Sequence, residues 1–251
     1  MQKTKKGYVL LRRLLTKFHI HAHLDRIATY ISKSIPLPLI AYDDVRLCFG
    51  FYTLVVIEDI EQYHQFVKPR GGWTVIDVGA HVGVYTIEVA RIVGGTGTVV
   101  AIEPDPDNFE MLKFHVALNR LKNVIPLRLA LGSRLGSTKL FRYTTPHNVI
   151  SDILNAQNNS ARALKVPIAI LDYVCQKLAL KDVDLMKLDV EGAEVEVIRV
   201  MKRILPQHIV GEWHGTARLH KLRVLLQEKG YRVVHRFSTQ NLGIFYARHT
   251  R

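Results

Sequence analysis

Val75-Ile76-Asp77-Val78-Gly79-Ala80-His81-Val82-Gly83 is the stretch that decides the fold. It joins a short run rich in β-branched residues, Trp73 to Val78, to a helical pattern from about Gly83 to Val93. Two glycines let the backbone turn tightly and approach a ligand closely. The helix that follows presents N–H groups with no helical partner of their own. Outward from this loop, strands and helices alternate. Thr98 to Glu103 reads as a second strand, Pro106 to Arg120 as a second helix and Asn123 to Leu131 as a third strand. Val183–Leu188 and His208–Trp213 are two more strands, with helices at Leu171–Leu180, Ala193–Ile204 and Thr216–Lys229. Such alternation predicts an α/β fold with a mostly parallel sheet covered by helices on both faces. Tyr231–Phe237 and Leu242–Arg248 lie too close together for a crossover helix, and they read as a C-terminal antiparallel hairpin.

Two regions depart from the alternation. Gly132 to Pro167 lacks helical periodicity and contains Gly136, Pro146, Asn148 and Gln157-Asn158-Asn159. It is expected to hold a short strand, Lys139–Tyr143, and a mobile loop able to cover a site. The first 34 residues hold eight basic side chains, from Lys3 to Lys33, and one acid, Asp25. Leu10, Leu11, Leu14, Leu15 and Phe18 recur there at helical spacing, which predicts a basic amphipathic helix. A helix packed on the core with a solvated basic face gives the same pattern as one that meets an anionic lipid surface. Ile35-Pro36-Leu37-Pro38 ends that block. A strand-like stretch, Val45–Val56, and a helical one, Glu58–Val67, follow. The division expected is a basic N-terminal segment, 1–54, and a main domain, 55–251.

Composition excludes several classes. Hydrophobic residues at 48% and charged residues at 23% are ordinary globular values, not those of a disordered chain. Two cysteines, Cys48 and Cys175, cannot build a disulfide framework or a thiolate zinc site, and a reducing, cytoplasmic setting is the simpler reading. No apolar run approaches the ~18 residues of a membrane span. Tyr8-Val9-Leu10-Leu11 is cut short by Arg12 and Arg13, so it is not read as a signal-peptide core. The formal charge of +13 raises phosphorylated or otherwise anionic partners without choosing among them.

The glycine loop selects a ligand. A dinucleotide site wants G-x-G-x-x-G at this turn. Here the pattern is D-x-G-x-x-x-G, with Asp77 where the first glycine would stand. An acid suits a ligand with a cationic amino-acid end, S-adenosylmethionine, better than one with a pyrophosphate. Glu103 ends the second strand twenty residues after Gly83. A carboxylate there can accept both hydroxyls of a ribose.

Further blocks carry a family resemblance. VIDVGAHVGVYT at 75–86, IEPDPDNFEMLKFHVALN at 102–119, VPIAILD at 166–172, LMKLDVEGAEVEVI at 185–198 and GEWH at 211–214 follow one another in order. Together they resemble the FkbM-type S-adenosylmethionine-dependent methyltransferases, whose hallmark is KxDVEGAE. The resemblance covers roughly residues 55–247. It implies a class I methyltransferase (Rossmann-like) fold with a seven-stranded sheet whose last strand runs antiparallel. It also implies methylation of hydroxyl groups, often on sugars or secondary metabolites. The cofactor-binding set expected is Asp77, Gly79, Ala80, His81, Gly83, Thr86, Glu103, Pro104, Asp105, Ala130 and Asp189.

Asp189 and Glu191 follow the strand Val183–Leu188, and Glu212 and His214 end another. Open α/β sheets bind ligands at these carboxyl ends. An alcohol is a poor nucleophile, so a base must take its proton as the bond to the methyl forms. Asp189, Glu191, Glu212 and His214 are the expected catalytic set, with Asp189 and Glu191 the leading pair. Glu194, at a helix start, serves equally as a cap, Glu196 reads as a solvated helix residue, and His214 can simply pair with Glu212. Asp189 and Glu212 could hold Mg²⁺, but no fixed ligand spacing supports a metal, and none is expected. The reading is thus an O-methyltransferase for a hydroxyl-bearing small molecule or glycan. RNA methylation is the alternative, argued from eleven basic residues against two acids in 199–251. No recognised RNA-binding motif accompanies them.

Overall fold

The computed structural model describes residues 39–42, 45–48, 60–142, 149–150, 162–237 and 242–250. The basic N-terminal block and the Gln157-Asn158-Asn159 stretch lie outside these residues. The first described elements are the antiparallel strands β1 (Leu39–Tyr42) and β2 (Val45–Cys48). Residues 60–64 are helical, inside the stretch expected to be so. β3 (Thr74–Val78), β4 (Thr98–Ile102) and β5 (Val124–Leu127) then alternate with α1 (Val84–Val93) and α2 (Pro106–Leu118). β6 (Ala130–Leu131), β7 (Gly136–Arg142), β8 (Val149–Ile150) and β9 (Arg162–Ala169) follow. The chain continues through α3 (Leu171–Lys177), β10 (Leu185–Leu188), α4 (Glu194–Val200), β11 (His208–His214) and α5 (Thr216–Glu228). It closes with β12 (Tyr231–Phe237) and β13 (Leu242–His249).

The main sheet has seven strands in the order β12-β13-β11-β10-β3-β4-β5. All neighbours are parallel except β13, which slots between β11 and β12 and runs against both. This is the mostly parallel sheet with an antiparallel hairpin that the sequence predicts. The central strands are covered on both faces, so β4 and β10 are apolar almost throughout. On one face Val75, Leu185 and Val210 pack with Ile87, Val89 and Ala90 of α1 and with Ile60 and Tyr63. On the other, Ile76, Met186 and Ile209 pack with Val197, Leu222 and Leu226 of the later helices.

The helix expected over Leu171–Leu180 stops at Lys177, and three larger departures from expectation bear on the site. The stretch 123–131 is two strands: β5 belongs to the main sheet and β6 to a second sheet of order β6-β9-β7-β8. The Leu129 N–H donates to the Leu127 carbonyl at 3.2 Å, and this tight turn lets the chain change sheets. The region 132–167, expected as a short strand and a loop, supplies most of that second sheet, with β7 and β9 antiparallel along their length. Leu140, Val166 and Ile168 of this sheet pack with Ala130 and Ala193, and Val190 borders them. The sheet therefore braces the turn after β10. Finally, α4 stops at Val200 instead of reaching Ile204. The Asp172 carboxylate accepts the N–H groups of Lys202, Arg203 and Ile204 at 3.2, 3.0 and 3.1 Å, which draws those residues away from helical bonding.

Candidate active site

The carboxyl ends of β3, β4, β10 and β11 converge, and the chain leaves β3, β10 and β11 through residues in the left-handed region. After β3, Gly79 has φ 76° and Gly83 φ 92°, and His81 between them is also left-handed at 52°. Gly79 has a second constraint. A Cβ there would lie 1.8 Å from the Asp189 carbonyl oxygen, so the loop after β3 and the turn after β10 touch backbone to backbone. The N–H groups of Gly79 and Ala80 both donate to Ile102 O at 3.0 Å, which ties the loop to β4 as well.

Glu103 caps the end of β4. Its Oε2 accepts the His81 N–H at 2.8 Å and its Oε1 the Asp105 N–H at 2.8 Å. The side chain is buried. Burial raises its pKa, and the two backbone N–H groups and the Asn108 side chain oppose that; the balance leaves it pushed up to about 7. Each oxygen retains further lone-pair capacity after one backbone bond.

Between β3 and β10 lies a buried ion triplet. Asp77 and Lys187 are directly paired in register. Lys187 Nζ stands 3.3 Å from Asp77 Oδ1, 3.3 Å from Asp189 Oδ2, and donates to the Gly79 carbonyl at 2.8 Å. The Tyr85 ring covers the ammonium at 5.9 Å. Thr86 Oγ1 donates to the other Asp77 oxygen at 2.6 Å. Burial favours a neutral lysine, but the two carboxylates prevail and hold Lys187 well above its ordinary value. It is a permanent cation that joins the glycine loop to Asp189.

After β10 the chain turns through Glu191 at φ 51° and Gly192 at φ 103°. A non-glycine residue there stores backbone strain, and such strain needs support. Glu194 Oε1 accepts the Gly192 N–H at 2.9 Å, and Arg218 of α5 donates to the Gly192 carbonyl. Across the cleft, His214 Nε2 lies 3.2 Å from Glu191 Oε2 and 3.8 Å from Glu212 Oε2, and Nδ1 lies 3.4 Å from Glu194 Oε1. Burial lowers the imidazole's basicity, but Glu191 and Glu194 outweigh it and push it up to about 10. Asp189, Glu191, Glu212 and His214 keep 26%, 24%, 22% and 28% of their side-chain surface, enough for an acceptor to reach them.

The Methyltransferase FkbM domain matches residues 77–233, well over half of the chain. The chain belongs to the FkbM methyltransferase family. It is 25% identical over 182 residues to "Methyltransferase 1" of Beauveria bassiana, spanning 63% of this chain and 72% of that protein. It is likewise 25% identical over 189 residues to "Methyltransferase sdnD" of Sordaria araneosa, spanning 62% and 73%. Among solved structures, a precorrin-6y C5,15-methyltransferase from Geobacter metallireducens shares the fold. The TM-score is 0.53 at 14% identity, covering 85% of this chain and 99% of that one.

The FkbM-family chain is therefore a methyltransferase, and its cofactor is S-adenosylmethionine. The donor set fits that group. Glu103 offers two backbone-oriented oxygens to a ribose, and Asp189 presents a partly exposed carboxylate where an α-ammonium would be welcome. A pyrophosphate would face both carboxylates. Other residues of the expected set play inward roles. Asp77 and Thr86 are fully buried; Thr86 bonds Asp77, and Asp77 also pairs with Lys187. Asp105 is the N-cap of α2, accepting from Asp107 and Asn108 N–H at 2.8 and 3.2 Å. Pro104 links it to Glu103. Ala130 is buried in the second sheet beside Ala193. His214, weighed as a base, is an imidazolium at neutral pH and has no free lone pair for a proton. Glu194, whose role the sequence left open, accepts the Gly192 N–H of the turn and lies 3.4 Å from His214 Nδ1. Lys187 was missed, although a lysine inside the apolar strand Leu185-Met186-Lys187-Leu188 was a readable signal. Among the described residues, no group of three His, Cys, Asp or Glu is arranged to hold a metal ion.

Proposed function

We propose that this methyltransferase acts on a hydroxyl of a neutral sugar, glycan or small metabolite. The observation that carries this reading is the acidic mouth: Asp189, Glu191 and Glu212 stand partly exposed at adjoining strand ends, with Glu191 and Glu212 sharing one imidazolium. Carboxylates accept hydrogen bonds from polyols and repel phosphate or carboxylate groups. Bound S-adenosylmethionine supplies an electrophilic methyl group. The chain's residues orient the acceptor and take its proton. Asp189, fixed by Lys187, receives a hydroxyl or ammonium group. Glu191, aimed by its strained turn, takes the proton of the reacting hydroxyl. Glu212, with the Tyr63 hydroxyl 3.5 Å from its Oε1, borders the acceptor's far side. The second sheet and the turn it braces shape the remaining wall. Incubation with methyl-labelled cofactor and parallel sets of neutral and phosphorylated hydroxyl acceptors, read by product mass and position, tests this. Transfer confined to nitrogen or carbon acceptors would refute it.

A second reading, RNA methylation, is favoured by one observation. Arg232 and Arg248 face each other across β12 and β13, exposed, and the Arg70 guanidinium stands 5.9 Å from the Trp73 ring. Like charges set directly opposite are unfavourable unless an anion bridges them. A salt titration of RNA binding by wild type and Arg232→Ala decides between the two.

Residues 1–54 are read as a separate basic segment that meets anionic lipid, and 55–251 as the catalytic domain. Among the described residues no helix is long and apolar enough to cross a membrane. Co-sedimentation equally poor with neutral and anionic vesicles would remove the lipid reading.

A further inference from the structure

His214 stands between two carboxylates of different kinds. Glu191 is partly open to the cleft, whereas Glu194 is buried to 1% and no acceptor can touch it. The same Glu194 oxygen, Oε1, faces the Gly192 N–H at 2.9 Å and His214 Nδ1 at 3.4 Å. Capping the turn needs an acceptor atom and no charge. A neutral amide would do it. A buried carboxylate is costly to ionise, and here the imidazolium compensates it. Among the described residues, Glu212 and Arg218 also face this group. Glu212 shares the strand with His214, at 3.8 Å, and carries the Tyr63 hydroxyl. From α5, Arg218 reaches Gly192 and lies 3.9 Å from Glu196.

The charge of Glu194 has a consequence for Glu191. If the imidazolium faced Glu191 with no second carboxylate behind it, Glu191 would be held as an anion and would take a proton less readily. With the Glu194 carboxylate behind it, the positive charge of the imidazolium is already compensated, and its pull on Glu191 is weaker.

We propose that Glu194 is a positioning residue for the base, the remote end of a Glu194–His214–Glu191 relay that accepts the acceptor's proton as one unit. This rests on the reading of Glu191 as the base for hydroxyl methylation. In the step, the acceptor O–H bond breaks and its proton passes to Glu191. The oxygen electron pair forms the bond to the methyl carbon, and the methyl–sulfur pair stays with the sulfur. His214 keeps both ring protons. The trio passes from one net negative charge to none, which is the titration of a coupled group.

The test uses the whole chain as wild type and Glu194→Gln. The glutamine carbonyl still accepts the Gly192 N–H, so the variant removes charge and keeps the cap. Titration of the His214 ring by NMR, with the signal assigned from His214→Gln, should give a midpoint of about 10 in wild type. In Glu194→Gln it should fall by ~1 unit or more. Turnover should drop at least ~10-fold with an altered pH profile, while cofactor affinity by calorimetry stays unchanged. A wild-type midpoint in the ordinary range near 6.5 overturns the network without any variant. An unmoved midpoint in Glu194→Gln overturns the role of Glu194. A shifted midpoint with an unchanged pH–rate profile reduces the relay to an ion-pair network and overturns its catalytic part. A product methylated elsewhere than on oxygen refutes the hydroxyl reading, and the NMR titration still reports on the network separately.

Discussion

Lys187→Met tests the ion triplet that joins the cofactor loop to the catalytic turn. The methionine keeps the length and apolar stem of the lysine, so packing against Tyr85 survives. What disappears is the ammonium 3.3 Å from Asp77 and 3.3 Å from Asp189. The two carboxylates do not suffer equally. Asp189 is 26% exposed and is solvated at little cost. Asp77 has 0% exposure, and Thr86 remains as its hydroxyl donor. Removing one partner of a buried pair costs about 3–5 kcal/mol, because a charge is left without compensation. For a chain of this size each kcal/mol moves Tm by about 2–4 °C, so the melting temperature should fall by about 6–20 °C. The double variant Asp77→Asn, Lys187→Met removes both charges and should recover at least ~2 kcal/mol of the loss, since an uncharged pair carries no such penalty. Urea unfolding of wild type, the single variants and the double variant supplies the cycle. The reasoning fails if Lys187→Met lies within about 1 kcal/mol of wild type. It fails equally if the double variant is no more stable than Lys187→Met.

Three further outcomes are expected. Gly79→Ala places a Cβ 1.8 Å from the Asp189 carbonyl at φ 76°, so the loop must open; calorimetry should find cofactor binding abolished, and normal binding would refute the close approach. Glu103 titrates near 7 in the unliganded protein against an ordinary 4.5, so the folded state binds the extra proton between those values. Its contribution to stability is therefore greatest below the lower value and is lost as pH rises through the upper one. Ribose hydroxyls donate to the carboxylate form, so cofactor binding at pH 6 should release a proton. Affinity should weaken by up to ~10-fold per pH unit below 7, an effect absent in Glu103→Gln. Calorimetry in two buffers of different ionisation enthalpy checks this, and no proton release refutes it. Glu191→Gln should leave cofactor affinity nearly intact and reduce turnover by about 10²–10⁴-fold, as for a lost general base. Near-normal turnover at saturating substrates would move the base to Glu212.

Much of this protein is legible in its sequence because the signals are local. Apolar runs of strand length and helical periodicity mark the elements. Gly79 and Gly83 mark a turn that needs left-handed backbone, and Glu103 marks a strand end. The short spacing between Phe237 and Leu242 permits a hairpin and no crossover. These features depend on neighbours within a few residues, so the alternating fold and the cofactor class could be read from them. Tertiary structure decided what depends on which distant residues become adjacent. Parallel pairing of β3 with β10 sets Lys187 against Asp77, 110 residues apart in the chain. That register makes Asp77 a buried partner of Lys187. The second sheet arises from pairing between β7 and β9, whose separate sequences carry turn residues and no strong period. His214 had the sequence of a base, but its charge depends on Glu191 and Glu194 coming within 3.2 and 3.4 Å. Coulomb energy depends on spatial distance and on the surrounding dielectric, and chain order specifies neither until the sheet has formed.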